Sequence, residues 1–270
     1  MTNPAYAPDP VPVVSSRAAS LTAKSPKYYR LLLFGLLLLS LGLRIFAIGW
    51  GIPDFDPARI ATSNYRNSYH IDEDNFIWGP MQMRPAQGNF DVVDYHWGTL
   101  QFFLVDGTFL AGEALGIVPT PWETAFQDGE IDAVGKLYVI GRLVSVLAGV
   151  IGTLLVVALG SLVAGSIGGL VAGAVYATMP LAVVEAHYLT NDVVMSVLVL
   201  GSVLCAVLAV QRKRLRWLLL AGLLLGLGVA DKYSAIFATP ALLVAQFLYL
   251  RQDTGVRTKS RWHGAFNSSR

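Results

Sequence analysis

Residues 31–50 form a strongly apolar run of about the 20 residues that a helix needs to cross a bilayer, and no convincing small-residue cleavage site follows it. That pattern predicts a membrane anchor, not a removable leader. Similar runs recur at 137–160, 166–186, 193–210, 215–230 and 233–250. Hydrocarbon offers backbone N–H and C=O groups no water, so successive runs of this kind fold as helices packed side by side. The expected fold class is all-α, a polytopic transmembrane helical bundle with extracytoplasmic juxtamembrane helices. The chain is 54% hydrophobic and 14% charged, against roughly 25% charged in ordinary soluble domains. A net charge of +2 is too small to suggest a nucleic-acid partner. Cys205, the one cysteine, excludes an intramolecular disulfide and a cysteine-built metal cluster.

Three regions follow along the chain. Residues 1–30 carry Pro4, Pro8, Pro10, Pro12 and Pro26 without apolar periodicity and are expected to be a disordered cytoplasmic tail. Residues 31–250 form the membrane module, with a first outer loop over 51–136, and 251–270 form a basic cytoplasmic tail. Arg17, Lys24, Lys27 and Arg30 precede the first span, which places the amino terminus in the cytoplasm. The segment 97–118 is apolar but holds Asp106 and Glu113, and the stretch after it is acidic. We expect an interfacial or re-entrant helix there, with an ordinary span as the alternative. Parity then sets Arg212, Lys213, Arg214 and Arg216 in a cytoplasmic turn and leaves three polar spots outside: Asp72-Glu73, the turn 185–192, and Asp231-Lys232. Arg44 is expected to snorkel to the headgroups. Trp50, Trp78, Trp97 and Trp122 are expected in an interfacial aromatic belt.

The stretch Tyr69-His70-Ile71-Asp72-Glu73-Asp74 follows the first span directly. It resembles the acidic-pair motif of the GT-C glycosyltransferases, in the branch of protein O-mannosyltransferases and aminoarabinose transferases. Gly141-Arg142-Leu143-Val144-Ser145 is similar to that family's arginine-led span. His187-Tyr188-Leu189-Thr190-Asn191-Asp192 is similar to its second acidic loop, and Gly222 to Tyr233 to its glycine-leucine helix ending at a lysine. The resemblance runs in order from about residue 40 to 250. It implies a membrane enzyme that takes a polyprenyl-phosphate sugar and transfers the sugar to an acceptor hydroxyl on the extracytoplasmic face, with inversion. Members of the family usually continue into further spans, so it also implies a shortened or split form.

The chemistry fits these residue types. A carboxylate beside an incoming hydroxyl takes its proton during attack, and the departing phosphate needs positive charge. Asp72 is the expected general base, with Glu73 orienting it or the acceptor. Asp74 is expected to be a solvated or capping residue. Asp192 is placed both as a helix N-cap and as a site carboxylate, and Asp72 with Asp192 is the candidate ligand pair for Mg2+ or Mn2+. Lys232 and Arg142 are candidates for the donor phosphate. His70, His96, His187 and Trp78 are possible substrate contacts. The expected partners are the polyprenyl-phosphate sugar, an acceptor and membrane lipids. The readings from other classes are a small transporter, which predicts acids in mid-span and internal repeats, and a non-catalytic assembly subunit.

Overall fold

The computed structural model describes residues 27–52, 70, 72–83, 88–92, 95–127 and 131–251. Of the two expected tails only residues 27–30 and Arg251 fall among these, and Tyr69 and Ile71 lie outside them. The regular structure among the described residues is helical: α1 (Tyr29–Ile45), α2 (Glu73–Gln82), α3 (Leu100–Ala114), the single turn α4 (Thr124–Gln127), α5 (Ile131–Thr178), α6 (Pro180–Glu185), α7 (Asn191–Arg212) and α8 (Leu215–Asp231). A 3-10 turn (Tyr233–Ala238) then runs into the last helix, α9, over 239–251. Among the described residues, three segments are long and apolar enough to cross a membrane, Asp132–Thr178, Asn191–Arg212 and Tyr233–Arg251. This is an all-α integral membrane protein.

α5 is a hairpin. Its backbone leaves helical geometry at Ala164 and Gly165, where Gly165 takes φ +72°, a conformation that costs glycine nothing and strains a residue with a Cβ. The chain doubles back there, so Gly160 lies against Gly169, and Gly173 against Val157. The second arm ends at Thr178, short of residue 186. Met179 is extended and Pro180 starts the separate helix α6, because proline disfavours helical geometry in the residue before it. Val163, Ile167, Val171 and Val175 are exposed at four-residue spacing, a face suited to lipid.

α1 runs antiparallel to the first arm of α5 and buries Leu36, Ser40 and Arg44 at four-residue spacing. Ser40 and Thr153 share a hydroxyl hydrogen bond of 2.8 Å. The helix stops at Ile45 and residues 46–50 are a turn, so the expected span 31–50 is helical for only part of its length. Arg44 does not snorkel. It is fully buried, with Nη1 donating to the Ser40 carbonyl at 3.1 Å, the Ser40 hydroxyl at 2.8 Å and the Ala177 carbonyl at 3.3 Å. Its register on the packed face of α1 turns its stem inward, over the Tyr176 ring.

α7, α8 and α9 form the other half of the bundle around Cys205, Ala206, Ala221 and Ala245. The largest apolar cluster is not between these spans. It lies at one end, where α2, α3, the segment around Trp122 and the first turns of α5 enclose Phe76, Ile77, Phe102, Phe109, Leu137 and Tyr138. The first arm of α5 is about 50 Å long at 1.5 Å per residue, well beyond a hydrocarbon core of roughly 30 Å, so its start belongs to this platform. α3 has 15 residues, about 22 Å, and packs on the platform, a length compatible with the interfacial reading of 97–118. Trp122 departs from the aromatic belt: it is buried against Phe109 at 4.8 Å between ring centroids, because the platform core needs its bulk.

Candidate active site at the platform end of the bundle

The three adjacent acids of the loop motif have three different fates. α2 begins at Glu73, and the spacing 73, 76, 77, 80 puts Glu73 on one face with Phe76, Ile77 and Pro80, all of them buried. Glu73 is therefore carried into the protein. Its two oxygens meet Arg142 of α5 in a bidentate pair, Nε to Oε1 at 2.6 Å and Nη2 to Oε2 at 2.8 Å, with both side chains fully buried. Oε1 also accepts the Leu189 N–H at 3.0 Å. Arg142 Nη1 donates to the carbonyls of Ile48 at 2.5 Å and Trp50 at 2.8 Å. The guanidinium thus joins α2, α5 and the turn after α1, and its fork geometry suits that task. These contacts occupy the arginine in place of the phosphate expected for it.

Asp74 is neither solvated nor a cap. It is buried and accepts a hydrogen bond of 2.8 Å from the Tyr138 hydroxyl, one turn before Arg142 on α5. Position 74 follows Glu73 around the first helical turn and faces the platform core, where a hydroxyl is the available donor.

Asp72 precedes α2 and is half-buried. Its carboxylate makes no hydrogen bond or ion pair among the described residues. Its backbone N–H donates to His70 Nδ1 at 3.3 Å, so this bond assigns the His70 proton to Nε2. The His70 ring lies 5.3 Å from the Tyr188 ring, and Arg142 lies over Tyr188 at 5.6 Å.

The second acidic spot connects to the first through the backbone. Leu189 bonds Glu73, and the Thr190 carbonyl accepts from Gln101 Nε2 at 3.4 Å and Ser145 Oγ at 3.5 Å. α7 opens at Asn191, with Thr190 at the cap position and no side-chain capping bond, so Asp192 is a first-turn residue and not the N-cap. Its Oδ1 accepts from Lys232 Nζ at 2.6 Å, with the side chains 41% and 27% exposed. Asn191 Nδ2 donates to the Asp231 carbonyl at 3.0 Å, which ties α7 to the end of α8. Lys232 therefore pairs across helices and not with Asp231, which is fully buried. At Gly98 the chain lies directly on the carbonyls of Ala230 and Asp231, leaving no room for a Cβ.

The remaining candidates surround this end. His96 is exposed just before Gly98. His187 has Nδ1 at 2.7 Å from the Val183 carbonyl and Nε2 at 2.8 Å from the Phe46 carbonyl, contacts that join α6 to the turn after α1. Trp78 is half-buried on α2, off the face that carries Glu73. No group of three or more His, Cys, Asp or Glu side chains is placed to hold a metal ion among the described residues.

A second acidic group belongs to the platform. Asp106 is buried in α3, and burial first, then the nearby Glu123 and Glu113, pushes its carboxyl above the ordinary carboxylate range.

Residues 131–266 match the family model described as dolichyl-phosphate-mannose-protein mannosyltransferase. The match starts with α5 and takes in Arg142, Asp192 and Lys232, while Asp72 and Glu73 precede it. No curated protein and no solved structure matches the chain. The matched stretch spans half of the sequence, and the chain accordingly belongs to the dolichyl-phosphate-mannose-protein mannosyltransferase family of GT-C membrane glycosyltransferases.

Proposed function

We propose that the protein transfers a sugar from a polyprenyl-phosphate donor to an acceptor hydroxyl at the platform end of the bundle, with Asp72 as the general base. The observation that carries this reading is the division of labour among the three acids. Glu73 is sealed against Arg142 and Asp74 against Tyr138, and Asp72 alone keeps a carboxylate with no partner among the described residues. A free, half-buried carboxylate can accept the acceptor's proton while the acceptor oxygen attacks the anomeric carbon. The bond from that carbon to the phosphate oxygen breaks on the opposite face, which inverts the centre, and the lipid phosphate departs with the bonding pair.

Lys232 is the group for that phosphate. Its ammonium is partly exposed and its present partner is the half-exposed Asp192, an open pair of the kind that exchanges at little cost. A phosphate with its tail in the bilayer replaces Asp192, or joins it, at the lysine. Arg142 acts one step back by fixing Glu73, and through it the start of α2 and the position of Asp72. The basic turn 212–216 at the far end supports a cytoplasmic position for that end by the positive-inside rule, and in this reading the platform and the reaction are extracytoplasmic.

The test is transfer from a panel of radiolabelled polyprenyl-phosphate sugars, mannose first, in membranes holding wild type or Asp72→Asn. Transfer from one donor by wild type, lost in the variant at equal protein level, supports the reading. Transfer that survives the substitution removes Asp72 from the mechanism, and wild-type membranes inert toward every donor would favour a non-catalytic subunit.

A further inference from the structure

The end of the bundle away from the carboxylates carries a feature that sugar transfer does not use. Arg212, Lys213, Arg214 and Arg216 form an exposed turn between α7 and α8. Asp231 is the one acid between Asp192 and Asp253, and it sits at the opposite end of α8. None of the four cations has an ion pair among the described residues. The Trp217 ring centroid lies 5.4 Å from both the Arg212 and the Arg216 guanidinium carbon. Its indole N–H is buried and lacks a hydrogen-bond partner among the described residues.

An apolar groove of about 590 Å3 lies between α7 and α9 and reaches Gln211, the residue before this turn. One wall is Val203, Val207 and Gln211 of α7, and the other is Pro240, Val244 and Leu248 of α9, each set at four-residue spacing. α7 and α9 run in the same direction, so the groove closes near Gln211 and Leu248, one residue short of Arg212 and three short of Arg251. Its floor includes Ala206 and Ala245, which belong to the cluster that also packs Trp217.

We infer that this groove and turn are a seat for an anionic phospholipid. An acyl chain lies between α7 and α9 while the headgroup phosphate meets the Arg212–Arg216 turn. Charge complementarity selects the occupant: cations at a membrane surface with no ion-pair partner among the described residues attract anionic lipid, and a groove ending beside them holds the chain of the same molecule. A basic turn that only sets orientation needs no groove, and a groove that only meets bulk lipid shows no headgroup preference.

Native mass spectrometry of the purified full chain, titrated with phosphatidylglycerol or phosphatidylcholine of matched chains, tests this. Phosphatidylglycerol should bind on the order of tenfold more tightly, and millimolar inorganic phosphate should not displace it. R212Q/R214Q/R216Q should bring the two lipids within about twofold of each other. Val244→Trp, at a position exposed toward lipid, should weaken phosphatidylglycerol binding without lowering the thermal midpoint. Equal binding of both lipids by wild type, displacement by phosphate, or a preference that survives the triple substitution would overturn the proposal. Unchanged binding in Val244→Trp would also overturn it, by removing the groove.

Discussion

Two ion pairs stand at the same end of this bundle and differ in what they can do. Glu73–Arg142 is sealed, with both side chains at 0% exposure and both carboxylate oxygens engaged. Asp192–Lys232 makes one contact of 2.6 Å between side chains 41% and 27% exposed. A sealed pair cannot exchange partners, because removing either member leaves a charge uncompensated away from water. An open pair loses little when a better anion arrives. Under the proposed function, this contrast gives Glu73 and Arg142 the task of holding the site and Lys232 that of meeting the substrate.

The largest effect should come from breaking the sealed pair. Arg142→Met strands the Glu73 carboxylate and frees two carbonyls, a loss of about 3–5 kcal/mol. The expected result is a sharp fall in folded protein, measured by size-exclusion recovery and thermal midpoint. Lys232→Met should behave in the opposite way. Stability should change by no more than about 1 kcal/mol, while KM for the donor rises about tenfold or more through loss of a charge-assisted phosphate contact. Equal destabilisation by the two substitutions would erase the distinction. The smallest effect concerns a buried acid outside both pairs. Asp106 has its carboxyl raised by burial, so the folded chain holds that proton more firmly than the unfolded chain, and stability from this group falls as pH rises from about the ordinary value of 3.8 through the raised one. Asp106→Asn should raise the thermal midpoint by a few degrees at pH 7, and the gain should shrink as pH falls toward 4.

Much of this layout is legible in the residues. Apolar runs locate the bundle, the break between the runs 137–160 and 166–186 marks the hairpin turn, and the polar spots around 72, 185–192 and 231–232 do share one end. Glu73 stands at helical spacing from Phe76, Ile77 and Pro80, which fits its burial once α2 is known to start there. Adjacent acids in a polar loop suggest solvent, however, and reading the helix as starting one residue earlier or later turns a different acid inward. The partners were not legible. Nothing in the order of residues says that Arg142 finds Glu73 and two carbonyls 92 and 94 residues away, or that Lys232 turns from its neighbour Asp231 to Asp192. Arg44 was misread for a related reason. Snorkelling assumes a face toward lipid, and packing of Leu36, Ser40 and Arg44 on the hairpin decides that face.

The central claim is that one acid of the motif does chemistry while its neighbour holds the fold. Its most direct test is a paired measurement, sugar transfer and thermal midpoint, on purified Asp72→Asn and Glu73→Gln beside wild type. Asp72→Asn should lose at least a hundredfold in transfer and keep its midpoint, whereas Glu73→Gln should lose several degrees. Retained transfer in Asp72→Asn, or a midpoint that falls with Asp72 and not with Glu73, would contradict the account.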